Sequence, residues 1–292
     1  MAEIIFQSNG DAKKFFQLLL KYLDLDSDNQ VILLDEDRHI VRVIDSETSI
    51  CYLDQVKEAF YEFIIKVKRD DWFREILKEH YYYEDDEEQQ QILDVIYSIL
   101  EGEREDLFAL LKKTNEEPRI KEAINQVFQE NISLSFDSFA KFRLKSYFSV
   151  LEGYVEISID EYIMEQEYQM FVQTLRDFLL NRQPRMDLLH LLVDEEITFY
   201  TEEWEEVKRG ELVKMIDRKL LFNHPIYVDS VSIAPLLSIA PNTILLYTKN
   251  PEEPLVRTIK NIFEERVEIH SFQTFCKKIG WDINKIVSDN GA

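Results

Sequence analysis

Apolar residues run through this chain with two different periods, and the elements change where one period gives way to the other. Glu3–Gln7 alternates weakly and predicts a short strand. Ser8-Asn9-Gly10-Asp11 is turn and cap chemistry, and Phe15, Phe16, Leu19, Leu20 and Leu23 then fall on one helical face. Gln30–Leu34 and His39–Ile44 flank the polar loop Asp35-Glu36-Asp37-Arg38 and predict a β-hairpin. From Tyr52 to Asn131 the spacing is helical. Val56, Phe60, Phe63, Ile64 and Val67 share a face, and Trp72, Phe73, Ile76 and Leu77 begin another helix. Gln91–Leu100 and Glu105–Lys113 predict shorter helices, and Pro118 suits the first turn of a helix over Arg119–Glu130.

The longest periodic stretch is Ser135–Arg182. Phe136, Phe139, Leu144, Tyr147, Phe148, Leu151, Tyr154 and Val155 recur at helical spacing, and the pattern resumes from Tyr162 through Phe171, Val172, Leu175 and Leu179. As one helix it would run about 70 Å at about 1.5 Å per residue. A break is therefore expected near Gly153 or Ile157-Ser158-Ile159, where the apolar spacing slips.

Gln183-Pro184 ends the stretch. Asp187–Val193 and Ile197–Tyr200 predict strands around Asp194-Glu195-Glu196. A helix is expected from there to Leu221, with acidic residues (Glu202, Glu203, Glu205, Glu206) at its start and basic ones (Arg218, Lys219) at its end. Asp229–Ala240 predicts a helix stopped by Pro241. Asn242–Tyr247, Glu252–Phe263 and Arg266–His270 form a strand, helix and strand, a βαβ unit with parallel strands and a right-handed crossover. Phe272–Ile279 predicts a closing helix. The fold class is helix-rich α+β: a small N-terminal α/β unit (1–50), a helical region (51–182) forming a central bundle with a long broken helix, a C-terminal α/β unit with the βαβ crossover (183–281), and a poorly ordered tail (282–292). The parts are expected to pack as one compact assembly.

Three passages carry a likeness to a known family. Phe139-Ala140-Lys141-Phe142-Arg143-Leu144-Lys145-Ser146-Tyr147 has the form F-x-x-F-R-L-x-x-Y. Val155–Phe171 holds a valine, an acidic-aromatic pair and a later E-Y-x-x-F. Leu236–Pro241 is followed by a strand and by Thr258–Glu268. In order and spacing these resemble the YtxC-like sporulation family of endospore-forming bacteria over most of the chain, least in its first half. The chain departs from that pattern at Glu264-Glu265, where a glycine-containing turn is expected, and in the segment after Cys276. The resemblance implies a role in sporulation and assigns no molecular activity or active residue.

Composition narrows the partners. The formal net charge is −23, from 34 basic and 57 acidic residues, so the surface repels phosphate backbones and anionic lipid at long range. Nucleic acid is accordingly not an expected partner. The 6 glycines leave little room for glycine-built phosphate loops. The 2 cysteines, Cys51 and Cys276, lie far apart and fit a reduced interior, where each reads as a small buried apolar residue. No leader pattern opens the sequence and no run of about 18 apolar residues occurs. A cytoplasmic location is the expectation.

Candidate chemistry is sparse. Lys141, Arg143 and Lys145 form a local basic patch that could take a phosphate or an acidic partner; ion pairing of Arg143 with nearby carboxylates and a solvated lysine face are the simpler explanation. Glu161 and Glu165 share a helical face and could bind a hard cation, although solvated acids do the same. His39, His80, His190, His224 and His270 have no metal-ligand spacing. Glu84–Glu88, after three tyrosines, reads either as a docking surface for a basic partner or as a solvated helix start. Thr248-Lys249-Asn250-Pro251 sits where parallel sheets bind ligands, at the carboxyl end of a strand. No nucleophile elbow, Walker loop or dinucleotide fingerprint occurs. No catalytic, cofactor or metal residue is assigned, and the expected binding patch is Lys141, Arg143, Lys145 and Glu161. The reading leans away from catalysis, towards a sporulation-associated protein that works by contact with an unidentified protein partner. The alternative is a small-ligand or phosphate-binding protein, with or without enzymatic activity, using a site around Arg143.

Overall fold

Asp35 reverses the chain by accepting the Arg38 amide proton on its Oδ1 at 3.1 Å, and His39 completes the turn with a positive φ of 56°. This turn closes the expected hairpin between β2 (Ile32–Asp35) and β3 (Ile40–Val43), which pair antiparallel. The computed structural model describes residues 2–25, 31–44, 50–111, 116–128, 132–180, 182–194, 196–217 and 232–280. The expected helix start at 229, the stretch 218–221, His224 and the tail from 281 lie outside these residues, as do the side chains of Ile50, Cys51 and Glu116. The chain divides into two compact units, Met1–Met164 and Glu165–Ala292.

In the first unit β1 (Ala2–Ile5) pairs antiparallel with β3 and parallel with β4 (Ile132–Ser135), giving the order β2-β3-β1-β4. Strand β4 was not expected from the sequence. Its last residue, Ser135, also caps the next helix by accepting the Ser138 amide proton at 3.3 Å. Helix α1 (Asn9–Leu23) starts in the same way, with Ser8 Oγ accepting from the Asp11 amide at 3.1 Å. Phe15 and Leu19 of α1 meet Ile4 and Val41 of the sheet in one core. Phe6, Phe15, Phe60, Phe63, Phe128, Phe136 and Phe139 continue that core as a chain of mostly edge-to-face rings.

Helix α2 (Ile50–Phe63) runs into a π-helical segment, Ile64–Lys68, and then into α3 (Arg69–Tyr81). The buried pair Phe63/Ile64 is followed nine positions on by Trp72/Phe73 (72 − 63 = 9), whereas two α-turns span about seven residues. The wider i→i+5 turn takes up part of that surplus, and Phe63, Ile64, Trp72 and Phe73 all lie in the same core. Helices α4 (Asp86–Leu100), α5 (Glu105–Phe108) and α6 (Glu116–Val127) follow.

The long helix breaks, but not where expected. α7 (Phe136–Arg143) ends at Leu144, whose φ of −97° and ψ of 15° leave the helical region, and α8 (Lys145–Leu180) then continues without interruption through Gly153 and Ile157–Ile159. The slip in apolar spacing has another cause. Leu144, Tyr147, Leu151, Tyr154, Val155 and Ile159 belong to the first unit's core, while Val172, Leu175 and Leu179 belong to the second unit's core. Between them, from Asp160 to Phe171, no residue of α8 is buried. Among the described residues no helix is long and apolar enough to cross a membrane.

The second unit carries a sheet in the order β6-β5-β7-β8, from β5 (Leu188–Val193), β6 (Ile197–Tyr200), β7 (Thr243–Thr248) and β8 (Val267–Ser271). β5, β7 and β8 are parallel and β6 is antiparallel. The expected βαβ unit is present, with helix α11 (Pro254–Phe263) between β7 and β8. The helix expected to begin at Glu202 does not. Trp204 has a φ of 66°, Tyr200 bridges to Glu206, and helix α9 spans only Arg209–Met215. Helix α10 (Ile233–Ile239) and the closing helix α12 (Phe272–Ile279) complete the unit. α10 and α11 share one core with Leu189, Leu191, Ile244 and Leu246. Tyr200, Leu192 and Tyr247 share another with Phe275 of α12.

Candidate functional site

The first unit holds a groove of about 1020 Å³ bounded by α3 on one side and by α7 with the start of α8 on the other. The Leu144 break sets the second wall. Lys141 precedes it and Lys145 follows it, and both line the groove. On the first wall Asp71, Glu75 and Glu79 recur every four residues and form one stripe along α3. The floor is apolar. Trp72 stacks on Phe136 at 6.2 Å with ring planes 6° apart, and its ring lies 4.9 Å from that of Phe148. Ile76 and Ala140 fill the remaining floor.

The groove is held open by polar ties at its ends. The π-segment delivers Lys68, only 14% exposed, between Asp11 Oδ2 at 3.0 Å and Asp71 Oδ2 at 2.8 Å. Burial works against its charge, but the hydrogen bonds with Asp71 and Asp11 outweigh that and hold the ammonium above its ordinary pKa. The Gln7 amide donates to Asp137 Oδ2 at 3.2 Å. At the far end His80 Nδ1 lies 3.3 Å from Glu152 Oε1, and Tyr81 OH donates to Glu156 at 3.1 Å. Partial burial and that carboxylate push the Tyr81 phenol up to about 12, so it remains a donor through the neutral range.

Four charges facing the groove are left over. Glu75 and Glu79 on one wall, and Lys141 and Lys145 on the other, have neither an ion-pair nor a hydrogen-bond partner among the described residues; Asp137 also lacks a cation partner but accepts from the Gln7 amide. Beside the lysines stands Phe142, 72% exposed and lining the groove, with Lys141 Nζ 6.0 Å from its ring centre. The ring therefore contributes little to the core and stands largely in solvent beside the apolar floor.

The expected patch is thus divided. Lys141 and Lys145 come together at the groove. Arg143 points away from it: it is exposed and is not among the groove residues. Glu161 pairs with Arg104 at 2.8 Å, and Arg104 is held more firmly charged by Asp106 and then, against burial, by Glu161. Glu165 accepts from Gln169 at 2.6 Å, so the two glutamates have separate partners. In the acidic run, Asp85 caps α4 by accepting the Glu87 and Glu88 amide protons at 2.9 Å each, which is helix-start chemistry. Sequence reasoning missed Phe142 beside the lysines and the acidic stripe of α3 on the facing wall. The i, i+4 spacing of Asp71, Glu75 and Glu79 was a readable signal; what they face was not.

In the second unit the loop Thr248–Pro251 satisfies itself. The Asn250 amide donates to Thr248 Oγ1 at 3.0 Å, the Glu252 amide donates to Asn250 Oδ1 at 3.1 Å, and Lys249 Nζ is 2.9 Å from Asp194. A pocket of about 440 Å³ at the end of β5 is lined by Asp194, Glu196, Glu206 and Glu253 with Arg209 as its cation, a set that disfavours phosphate. On the Phe275 side of the sheet His190 is 4% exposed, stacks on Trp204 at 3.8 Å and lies 3.2 Å from Tyr247 OH through Nδ1. Burial, with Lys278 and His270 adding to it and the Glu202 carbonyl opposing, keeps its pKa below the ordinary histidine value. Among the described residues no group of three or more His, Cys, Asp or Glu could hold a metal ion.

Comparison with known proteins places the chain. The YtxC-like family model matches residues 54–268, a span that includes both walls of the groove but not Gln7, Ser8 and Asp11 at its end. The chain belongs to the YtxC-like family. It is 37% identical over 276 residues to a Bacillus subtilis (strain 168) protein called "Uncharacterized protein YtxC", covering 94% of this chain and 96% of that one. No solved structure matches.

Proposed function

We propose that this chain is a protein-binding protein acting in sporulation, and that its partner docks in the groove between α3 and α7–α8. Phe142 carries the reading. A ring 72% exposed, set between free lysines and above a floor of Trp72, Phe136 and Phe148, gains only when another surface covers it. The family resemblance supplies the sporulation setting. The alternative, an anion site around Arg143, draws no support from either cavity described above, because Arg143 lines neither.

Site-specific photo-crosslinking in sporulating cells tests this. A photoreactive residue in place of Phe142 should trap a discrete protein adduct, and one in place of the exposed Glu122 on α6 should not. No adduct from position 142, or the same adducts from both positions, would remove the reading.

A further inference from the structure

We infer that the groove takes an amphipathic α-helix of the partner, with basic residues along one border of its apolar face and acidic residues along the other. This rests on the protein-binding reading above and specifies the kind of segment bound.

Three observations lead there. First, the walls are helices, and no strand edge lines the groove. An extended segment lying on Trp72, Ile76, Phe136 and Ala140 would find no ladder partner for its own N–H and C=O groups, whereas a helix brings those groups already paired. Second, the floor is apolar and continuous from Phe136 to Phe148, with Phe142 standing on the rim, so it suits anchors at i, i+3, i+4 and i+7. Third, the charged groups with neither an ion-pair nor a hydrogen-bond partner among the described residues are divided by wall: Glu75 and Glu79 on α3, Lys141 and Lys145 across from them. Asp71 and Asp11 are paired with Lys68, Glu152 lies against His80, and Asp137 keeps its charge but is hydrogen-bonded by the Gln7 amide at the groove's end. A helix bordered by lysines alone meets repulsion at Lys141 and Lys145, and one bordered by glutamates alone meets it at Glu75 and Glu79. A helix with one border of each sign complements both walls, and the charges choose its direction.

The experiment uses the full chain and a labelled synthetic peptide of about five helical turns, with a leucine face bordered by lysines on one side and glutamates on the other. Fluorescence anisotropy compares the parent, an acidic-wall reversal (Glu75→Lys with Glu79→Lys), a basic-wall reversal (Lys141→Glu with Lys145→Glu) and the four-site swap. Each single-wall reversal should weaken binding about tenfold. The four-site swap keeps the parent's net charge and restores opposed walls, so its affinity should return to within about threefold of the parent's, with the peptide reversed in direction. Phe142→Asp should abolish binding in every background. These positions line an open surface, and circular dichroism melts check that each variant is folded.

A swap that stays as weak as the single reversals overturns the inference. So does equal binding by peptides bordered with lysine alone or glutamate alone. If the charge series has no effect while the crosslink from position 142 persists, the groove binds protein but not in this way. If Phe142→Asp leaves peptide binding unchanged and no adduct forms from position 142, both readings fail. Displacement of the peptide by self-association of the chain would assign the groove to a second copy instead.

Discussion

Lys68 places its ammonium 3.0 Å from the Asp11 carboxylate, joining the first turn of α1 to the end of the π-helical segment beneath the groove. With Asp71 at 2.8 Å on its other side, it bridges two carboxylates and offsets the repulsion between them in a partly desolvated corner. Lys68→Met should lower stability by about 2 kcal/mol in urea unfolding, because it strands those carboxylates. Lys66→Met should cost no more than about 1 kcal/mol, since Lys66 is 68% exposed and its partner Glu62 keeps the Tyr22 hydroxyl. Equal effects of the two changes would mean that the Lys68 tie is merely a surface pair.

Gly153 lies within an unbroken helix, and a Cβ built there meets only Leu111 Cδ2, at 3.6 Å, an ordinary contact. Gly153→Ala should therefore raise stability by up to about 1 kcal/mol through reduced freedom of the unfolded chain. Destabilisation in the same assay would indicate that the helix needs glycine there.

How far the sequence revealed the fold depends on whether the relevant contacts are local. The β2–β3 hairpin and the β7–α11–β8 unit were readable because turn residues and periodicity lie within one short window. β4 was hidden because four alternating residues ran straight into the Ser135 cap of a strongly periodic helix. The acidic run at Glu202–Glu206 looked like a helix start, but Trp204 stacks on buried His190, and that long-range contact fixes a left-handed backbone instead. The nine-residue step from Phe63 to Trp72 was visible and already contained the π-turn. The groove lay beyond sequence reasoning, since its two walls are roughly seventy positions apart in the chain and their sequences record only the pattern on each wall.

Glu264 lies in the Glu264-Glu265 turn, where a glycine-containing turn was expected from the family resemblance. Its φ of 51° and ψ of −120° suit glycine far better than a β-carbon-bearing residue, while its carboxylate holds Arg176 at 2.8 Å. The strain costs about 1–3 kcal/mol and the exposed pair returns at most about 1 kcal/mol. Glu264→Gly should thus stabilise the chain by about 1 kcal/mol, and Glu264→Ala, which keeps the strain and loses the pair, should not. Similar behaviour of the two variants in thermal melts would refute the strain argument.

His190 makes stability depend on pH in one direction. Its folded pKa is lowered from the ordinary 6.5 by burial, so the unfolded chain takes up a proton first as pH falls. The groups that face it are Trp204, Tyr247, His270, Lys278 and the Glu202 carbonyl; none of them is a carboxylate that would stabilise a charged imidazole. Its contribution is complete above about 6.5 and declines as pH drops through that value towards the lower folded pKa. Urea midpoints measured from about pH 7.5 to about pH 5.5 should fall more for the parent than for His190→Gln. An identical fall for both would exclude His190 as a source of the dependence.

The groove is tested most directly by a footprint of the bound partner. With the protein trapped from position 142 in hand, amide hydrogen exchange of this chain should be measured with and without that partner. Protection is predicted along 71–80 and 136–152, which carry the two walls, and no change across the sheet strands 188–193 and 243–248. Protection centred on the second unit, with both walls unchanged, would contradict the account.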